Sequence, residues 1–290
     1  MNHRYLLLLF VATVIMGCAT TGDPQWEMAV PEVAEEPVQQ EPVTIEVEVP
    51  RMTRETRYFR DGTVDTYKVL TYQEGTNRLL KEVEFDSFDE VKKTIQYHYP
   101  REDLVRRETL DNTGTLLSYD LLRLNREGLL LSEESFTSDD AARVSTHYRY
   151  NSRGERLELE VKDGAGTLLS RIAYSAPENG VSESVLYGAD GQVRNRFLRE
   201  TDSQGLLLRE ATLSRDGRLE REVVFVYEDG RLVREEHLNN AGGLSRRYLY
   251  ENDEKGSPLR IIMENSRGAV LETYERSYYY TVETIVLEDD

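Results

Sequence analysis

Cysteine is almost missing from this chain. Cys18 is the only one among 290 residues, so no disulfide can form within the chain and packing and backbone hydrogen bonds must hold the fold. Histidine is also scarce: beyond the N-terminal residues it occurs only at His98, His147 and His237, without the spacing of metal ligands. We predict solvated strand positions for these histidines and no metal or other cofactor.

Long apolar segments are missing as well. The apolar run at residues 5–16 follows Arg4, but a helix needs about 20 residues to cross a hydrocarbon core of roughly 30 Å. A short apolar run behind a basic start is typical of a signal peptide, here residues 1–17. The residues at its end, Ile15-Met16-Gly17-Cys18, resemble the lipobox of bacterial lipoproteins.

The lipobox resemblance implies cleavage before Cys18 and lipidation of that cysteine, which would make a membrane the first partner of the chain. Ala19, rather than Asp, follows the cysteine. In enteric-type bacteria this is compatible with sorting to the outer membrane, facing the periplasm or the cell surface. The alternative is an ordinary secretory peptide that is cut after a different small residue.

Positive charge is missing between Cys18 and Pro50, where eight acidic residues and several prolines lie. We predict that residues 18–50 form a lipidated, Pro/Glu-rich disordered tether, which ends at Thr44 to Val49 as an alternating edge strand. The net charge of the chain is −18, and the body from Arg51 onward carries 46 acidic and 35 basic residues. An acidic body argues against a nucleic-acid partner.

What the body does contain is a regular series of turn signals. Glycine or an equivalent turn residue recurs about every thirteen residues from Gly62 to Gly268, and runs with alternating apolar and charged positions lie between the turns. This spacing leaves no room for crossover helices, so neighbouring strands must be antiparallel. The pattern predicts one all-β domain at residues 51–290, an antiparallel meander of about 16–18 short strands.

Tyrosines close alternate strands, which doubles the period to a hairpin of about 26 residues and gives nine units, with Phe88 and Asp140 where glycine is missing. The segments Tyr150 to Gly154 and Tyr227 to Leu232 are similar to the repeats of the YD-repeat (RHS-like) family and to MORN-like repeats of the YwqK type. The resemblance implies a β-hairpin repeat fold. Because no copy has the Tyr-Asp pair and the body is short, it does not imply the enclosing shell of the large YD proteins.

The twist of a sheet of this many strands accumulates to a coiled ribbon or a closed barrel. Apolar side chains such as Leu122, Val223 and Phe225 need cover, so we predict a coiled or rolled single sheet, with a propeller as the alternative. Charged residues on the outward face exclude a lipid-facing band. They are Arg156, Glu158, Glu160, Lys162, Glu220 and Glu222.

No nucleophile elbow or phosphate-binding glycine loop interrupts the repeat, so we predict no catalytic residues. Tyrosine, by contrast, is abundant. Paired tyrosines that project outward would form an aromatic surface suited to sugar or protein contact, and the alternative is that they cap the core edge of each hairpin. The candidate binding surface consists of Tyr97, Tyr99, Tyr148, Tyr150, Tyr227, Tyr248 and Tyr250.

The sequence therefore predicts a lipid-anchored, non-enzymatic protein of the cell envelope, whose repeat sheet binds a protein or an envelope polymer such as a glycan. The alternatives are a structural spacer or assembly factor of the envelope, and an enzyme.

Overall fold

A computed structural model describes residues 43–287. One unit spans residues 50–281, and of a second unit the structure describes residues 43–49 and 282–287. Cys18, the predicted signal peptide and most of the predicted tether lie outside the described residues. Within the described part, no helix is long and apolar enough to cross a membrane.

Every regular element of the described chain is a β-strand. The strands are β1 Val43–Phe59, β2 Val64–Tyr72, β3 Leu79–Asp86, β4 Val91–Arg101, β5 Leu104–Leu110, β6 Leu116–Leu124, β7 Leu130–Thr137, β8 Ala142–Tyr150, β9 Arg156–Asp163, β10 Leu168–Tyr174, β11 Val181–Gly188, β12 Val193–Thr201, β13 Leu207–Ser214, β14 Leu219–Glu228, β15 Arg231–Asn239, β16 Leu244–Asn252, β17 Pro258–Asn265 and β18 Val270–Leu287. Because β1 begins at Val43, the end of the predicted tether is a strand, as its alternation indicated.

The sheet closes on itself. Each strand pairs antiparallel with the next, and β18 pairs with β1. Across this seam the Thr53 hydroxyl donates to the Ser277 carbonyl at 3.2 Å, and the Arg276 guanidinium meets the Glu55 carboxylate at 2.6 Å. The antiparallel meander is confirmed, and the predicted coiled or rolled single sheet is corrected to a closed barrel: in residues 50–281 both sheet edges find partners.

The turns lie alternately at two ends of this barrel. Even-numbered strands end at what we call the tyrosine end, where Tyr99, Tyr150 and Tyr227 lie, and odd-numbered strands end at the opposite end. A typical turn at the opposite end places Gly114 at a φ of 85°, while the Asp111 carboxylate accepts hydrogen bonds from the backbone N–H groups of Thr113 and Thr115. Such turns explain the glycine spacing.

Two turns use aspartate in place of glycine. Asp89 and Asp140 both have a φ of 64°, in the left-handed region that costs a residue with a Cβ some energy. In the turn between β3 and β4, the residue that takes the place of glycine is therefore Asp89. The spacing had predicted Phe88 at this position. Phe88 lies at the tip of the turn, with 82% of its surface exposed.

Strand register sorts the side chains onto two faces. Arg107 on β5 contacts Asp120 on β6 at 2.7 Å and also Glu133 on β7 at 2.6 Å. Side chains on the concave face of a curved sheet converge, so two that are separated by a whole strand can still be in contact. The face that carries Arg107 and Glu133 is therefore the inside of the barrel. When the alternation is followed from Arg107 through the strand register, Glu158 and Glu160 lie on the outer face, as predicted. Arg156 does not, because it lies in a bulge and stacks on inward tyrosines.

The barrel has little core. Among the described residues, the buried apolar side chains are Tyr119, Leu207, Ala211 and Ile261, and none is fully buried. Eighteen strands about 4.8 Å apart have a perimeter of roughly 90 Å, and barrels of this strand number keep an open interior. The cover predicted for the apolar residues is therefore partial: Leu122, Val223 and Phe225 are half-buried.

Candidate binding site at the tyrosine end

The seven tyrosines of the predicted surface all lie on the inner face of the barrel. Register places Tyr97 opposite Arg107, Tyr148 opposite Leu159, and Tyr250 opposite Ile261 on this face. All seven are half-buried and lie on β4, β8, β14 and β16. The tyrosines therefore line the inside of one end of the barrel and do not form a stripe on its outer surface.

The electrostatics of the tyrosines differ between the two faces. Burial is the main cause that raises the pKa of the inward Tyr97, Tyr99 and Tyr148. Burial, followed by the nearby Glu235 carboxylate, raises the pKa of Tyr250 strongly. On the outer face, the hydrogen bond to Asp140 is the main cause that raises the pKa of Tyr119. Burial therefore favours the neutral phenol at Tyr97, Tyr99, Tyr148 and Tyr250.

Several of these tyrosines serve the fold directly. At the tyrosine end, β3, β7, β13, β15 and β17 each contain a β-bulge at or near their start, which disrupts the hydrogen-bond ladder there. A polar side chain on the next strand donates a hydrogen bond to the carbonyl of the residue just before the bulge. The pairs are Tyr99 with Leu79 (2.9 Å), Tyr150 with Leu130 (2.8 Å), Tyr227 with Leu207 (2.9 Å), Asn252 with Leu232 (2.8 Å) and Tyr278 with Pro258 (3.2 Å).

We call these contacts bulge caps. They agree with the alternative interpretation that paired tyrosines serve the hairpin, and they engage the hydroxyls of Tyr99, Tyr150 and Tyr227. The other tyrosines of the predicted surface differ. Tyr250 donates to Glu235 at 2.9 Å, whereas within residues 43–287 the hydroxyls of Tyr97, Tyr148 and Tyr248 have no hydrogen-bond partner.

The three histidines do not assemble into a site. His98 is paired with Glu108 at 3.1 Å, and His237 with Glu235, while His147 lies opposite Glu160 on the outer face. In the part of the chain that the structure describes, no group of three or more potential ligands is arranged to hold a metal ion.

Arginines that the sequence reasoning missed lie over the inward tyrosines. The Arg78 guanidinium lies 5.0 Å from the centre of the Tyr99 ring, and that of Arg156 lies 5.0 Å from Tyr148 and 5.6 Å from Tyr174. Neither arginine has a carboxylate partner among the described residues. Arg78 immediately precedes β3 and Arg156 begins β9, and each lies one strand away from a tyrosine pair. This position in the sequence is the signal that indicates the stacks.

An open recess of about 540 Å³ lies beside the first of these stacks. It adjoins β3 and β4 and contains two tyrosines of the predicted surface. Its lining consists of Gln73, Arg78, Leu80, Tyr97, His98, Tyr99 and Pro100. Aromatic and apolar walls with a few polar groups are typical of small-molecule sites.

Comparison with known structures finds several distant similarities. A porin-like protein from Bacteroides uniformis ATCC 8492 is 10% identical over 79% of this chain and 98% of its own, with a TM-score of 0.41. A porin-like protein from Bacteroides vulgatus ATCC 8482 is 12% identical over the same shares, with a TM-score of 0.36. A DUF1329 family protein from Desulfovibrio piger ATCC 29098 is 11% identical over 79% of this chain and 83% of its own, with a TM-score of 0.20.

Similarities this distant carry no argument about fold or function. No protein-family model matches the chain, and no curated protein matches it. The resemblance to lipoproteins and to the YD-repeat and MORN-like families therefore stays a prediction.

Proposed function

We propose that this chain is a lipid-anchored, non-enzymatic protein of the cell envelope, and that the tyrosine end of its barrel binds a protein or an envelope polymer. The observation that carries this proposal is the set of half-buried tyrosines inside one end of a closed, open-centred barrel. Their rings are fixed on rigid strands, and some of their hydroxyls remain available. Such amphipathic rings suit recognition of sugars and proteins.

The direction of β1 supports an anchor at this end. Because β1 runs from the tyrosine end to the opposite end, Pro50 at the start of the barrel unit lies at the tyrosine end. By our proposal, a lipid on Cys18 is inserted in the outer membrane, and the chain that follows it would enter the barrel at the tyrosine end. The binding end would then be the end joined to the anchor.

The outer face supports anchoring by lipid rather than by the wall of the barrel. Arg247 and Glu264, and likewise Arg209 and Glu222, form ion pairs on that face. An arginine at the centre of a bilayer costs about 2–4 kcal/mol on such a wall. These charged pairs therefore suit an aqueous compartment.

The charged groups of the inner wall support a binding role over catalysis. Asp120 accepts hydrogen bonds from Arg107 and from the Ser135 hydroxyl at 2.6 Å, and Glu235 is held by Tyr250 and His237. These carboxylates are hydrogen-bonded to neighbouring side chains of the barrel wall, which supports a structural role for them rather than a catalytic one. The acidic body also disfavours a nucleic-acid partner.

The anchor is tested by fractionating cells that express the full chain or its Cys18→Ser variant, with metabolic labelling by a palmitate analogue. We expect the unmodified chain in the membrane fraction, labelled and released only by detergent, and the variant unlabelled and soluble. An unlabelled chain in the soluble fraction would contradict the lipid anchor.

The binding role is tested by crosslinking the full-length protein in envelope extract. Tyr97→Ala combined with Tyr148→Ala removes two inward rings without touching a bulge cap, and Tyr187→Ala on the outer face is the matched control. We expect the crosslinked partner to be lost only with the double variant. Equal recovery with all three proteins would contradict a tyrosine-end site.

A structural spacer or assembly factor is the second candidate, because the bulge caps use three of the seven tyrosine hydroxyls for the fold itself. Deletion of the chain is expected to weaken the envelope in this case. Normal resistance of the deletion strain to detergents and osmotic shock would count against the spacer.

A further inference from the structure

The recess beside β3 and β4 has a close counterpart elsewhere in the barrel, and the two differ in their charged groups. Leu80, Tyr97 and Tyr99 of the recess correspond to Leu131, Tyr148 and Tyr150 on β7 and β8, since Tyr99 and Tyr150 cap equivalent bulges. At the position of Arg78, however, the counterpart has Leu129. In the recess, Arg78 therefore stacks on the bulge-capping Tyr99, whereas in the counterpart the stacked arginine is Arg156, which lies over Tyr148 from β9.

The walls of this recess suit a flat ring with an apolar face. The rings of Tyr97 and Tyr99 and the side chain of Leu80, which is 38% exposed, provide the apolar surface. Bulge capping holds the Tyr99 ring in place. A volume of about 540 Å³ lies within the range of small-molecule sites.

The polar groups of the recess favour a sugar over an acyl chain. Among the described residues the Tyr97 hydroxyl has no hydrogen-bond partner, and the Gln73 side chain borders the same space. An acyl chain that covered these groups would leave them unsatisfied, which is unfavourable. The hydroxyl groups of a sugar would satisfy them.

The charge of the recess favours an anion. The Arg78 guanidinium stacks on Tyr99 and has no carboxylate partner in the part of the chain that the structure describes. The stacking covers one face of the guanidinium but leaves its N–H groups free to bind oxygen. Arginine presents these groups in the fork that matches a carboxylate or a phosphate.

We propose that the recess formed by Gln73, Arg78, Leu80, Tyr97 and Tyr99 binds a sugar ring that carries one negatively charged group, a carboxylate or a phosphate. The sugar packs on the tyrosine rings, its hydroxyls bond to Tyr97 and Gln73, and its anionic group bonds to Arg78. This inference rests on the proposed function and narrows the envelope polymer to an acidic carbohydrate.

The test is saturation-transfer NMR on the full-length protein in detergent micelles. The probes are glucuronate, glucose 6-phosphate, neutral glucose and inorganic phosphate. We expect at least one of the two acidic sugars to bind at least tenfold more tightly than either glucose or phosphate, and the acidic sugar that binds identifies the preferred anion. If glucose binds as tightly as the acidic sugars, the contact with Arg78 adds nothing to the affinity. If phosphate binds as tightly as the acidic sugars, the contacts with the sugar ring add nothing to the affinity. Either result overturns the proposal.

The variants place binding in the recess. Arg78→Gln should weaken the acidic sugar at least tenfold while Arg78→Lys retains part of the affinity, and Tyr97→Phe should weaken it severalfold. Tyr148→Phe in the counterpart hairpin is the matched control and should bind like the unchanged protein. Unchanged unfolding midpoints show that the variants are folded.

Equal effects of Tyr97→Phe and Tyr148→Phe would overturn the assignment to this recess, and so would full binding by Arg78→Gln. Failure of every probe to bind would overturn the acidic-sugar proposal alone. The proposed function is judged separately, by the palmitate label on Cys18 and by crosslinking in envelope extract.

Discussion

A tyrosine has an apolar ring and a single polar atom, and this barrel uses the two parts separately. At the tyrosine end, the hydroxyls of Tyr99, Tyr150 and Tyr227 cap bulge carbonyls while their rings stay half-exposed inside the barrel. Tyr148, in contrast, has no hydroxyl partner among the described residues. Tyrosines on the same inner face therefore contribute differently to the stability of the barrel, depending on whether their hydroxyl caps a bulge.

We predict that Tyr150→Phe lowers the free energy of unfolding by about 1 kcal/mol, because the Leu130 carbonyl loses its hydrogen bond. The matched variant Tyr148→Phe should stay within about 0.5 kcal/mol of the unchanged protein. Urea denaturation of the two variants checks this. Equal destabilisation by both would show that the bulge caps contribute nothing specific.

The outer wall contains a residue cluster that occurs twice. Arg106 lies 3.8 Å from the centre of the Tyr119 ring, which stacks on Phe136 at 4.9 Å and donates to Asp140 at 2.8 Å. The same arrangement joins Arg54, Tyr67, Phe85 and Asp89, with distances of 4.1, 4.7 and 2.8 Å. The hydrogen bond from tyrosine explains why both turns have aspartate where other turns have glycine.

We predict that Asp140→Gly is nearly neutral, since release of the left-handed strain, about 0.5–1 kcal/mol, offsets the lost hydrogen bond of similar size. Asp140→Ala keeps the strain and loses the bond, so it should cost about 1–2 kcal/mol. Urea denaturation of both variants is the measurement. In a Tyr119→Phe background, where the bond is already lost, Asp140→Gly should become stabilising, while the difference between the two variants should persist. An alanine variant as stable as the glycine variant would contradict this account.

At the scale of the strand, inward phenols connect stability to pH. Burial and a hydrogen bond to Glu272 raise the pKa of Tyr274 on β18 from its ordinary value to about 12, and burial raises the pKa of Tyr278 on the same strand. In the unfolded chain these phenols ionise near pH 10. Their contribution to stability is therefore complete below about pH 10 and is lost as the pH rises through about 12.

We predict that the urea midpoint is level between about pH 8 and 9 and falls between about pH 10 and 12. In Tyr274→Phe the fall should be smaller, because that phenol no longer ionises on unfolding. Ultraviolet absorbance of phenolate should show inward tyrosines ionising together with unfolding. A midpoint that is independent of pH up to about 12 would contradict the burial of these phenols.

At the scale of the whole molecule, stability depends on one seam. Most strand pairs join neighbours in the chain, but the contact between Arg276 and Glu55 joins residues 221 positions apart. Such a contact orders a very long loop, whose closure costs entropy. The seam between β1 and β18 is therefore where we expect the barrel to open first.

We predict that Glu55→Gln, which leaves the half-buried Arg276 without its anion, costs about 1 kcal/mol after allowance for solvent screening. Hydrogen exchange should show faster exchange along both β1 and β18. Glu264→Gln, which breaks the comparable pair with Arg247 between β16 and β17, is the control and should speed exchange only locally. The same exchange pattern in both variants would show that the seam is no weaker than the wall.

Much of the local structure could be predicted from particular residues. The alternation of Val223, Phe225 and Tyr227 with Glu222 predicted one face for each set, and register agrees. The role of Asp89 was missed because spacing alone does not resolve a turn position to one residue. Arg78 was missed because its partner Tyr99 lies on the next strand and enters the same recess only when the bulge at Leu79 sets their relative position.

The sequence by itself determined that this chain is an antiparallel meander, because period-two alternation and turn signals are local properties of a few consecutive residues. Closure into a barrel was decided by the tertiary structure alone. An open and a closed meander share every turn and every neighbouring pair, and they differ only where β18 meets β1. That closure also decided that the tyrosines face inward, since a sheet has an inside only once its two edges have met.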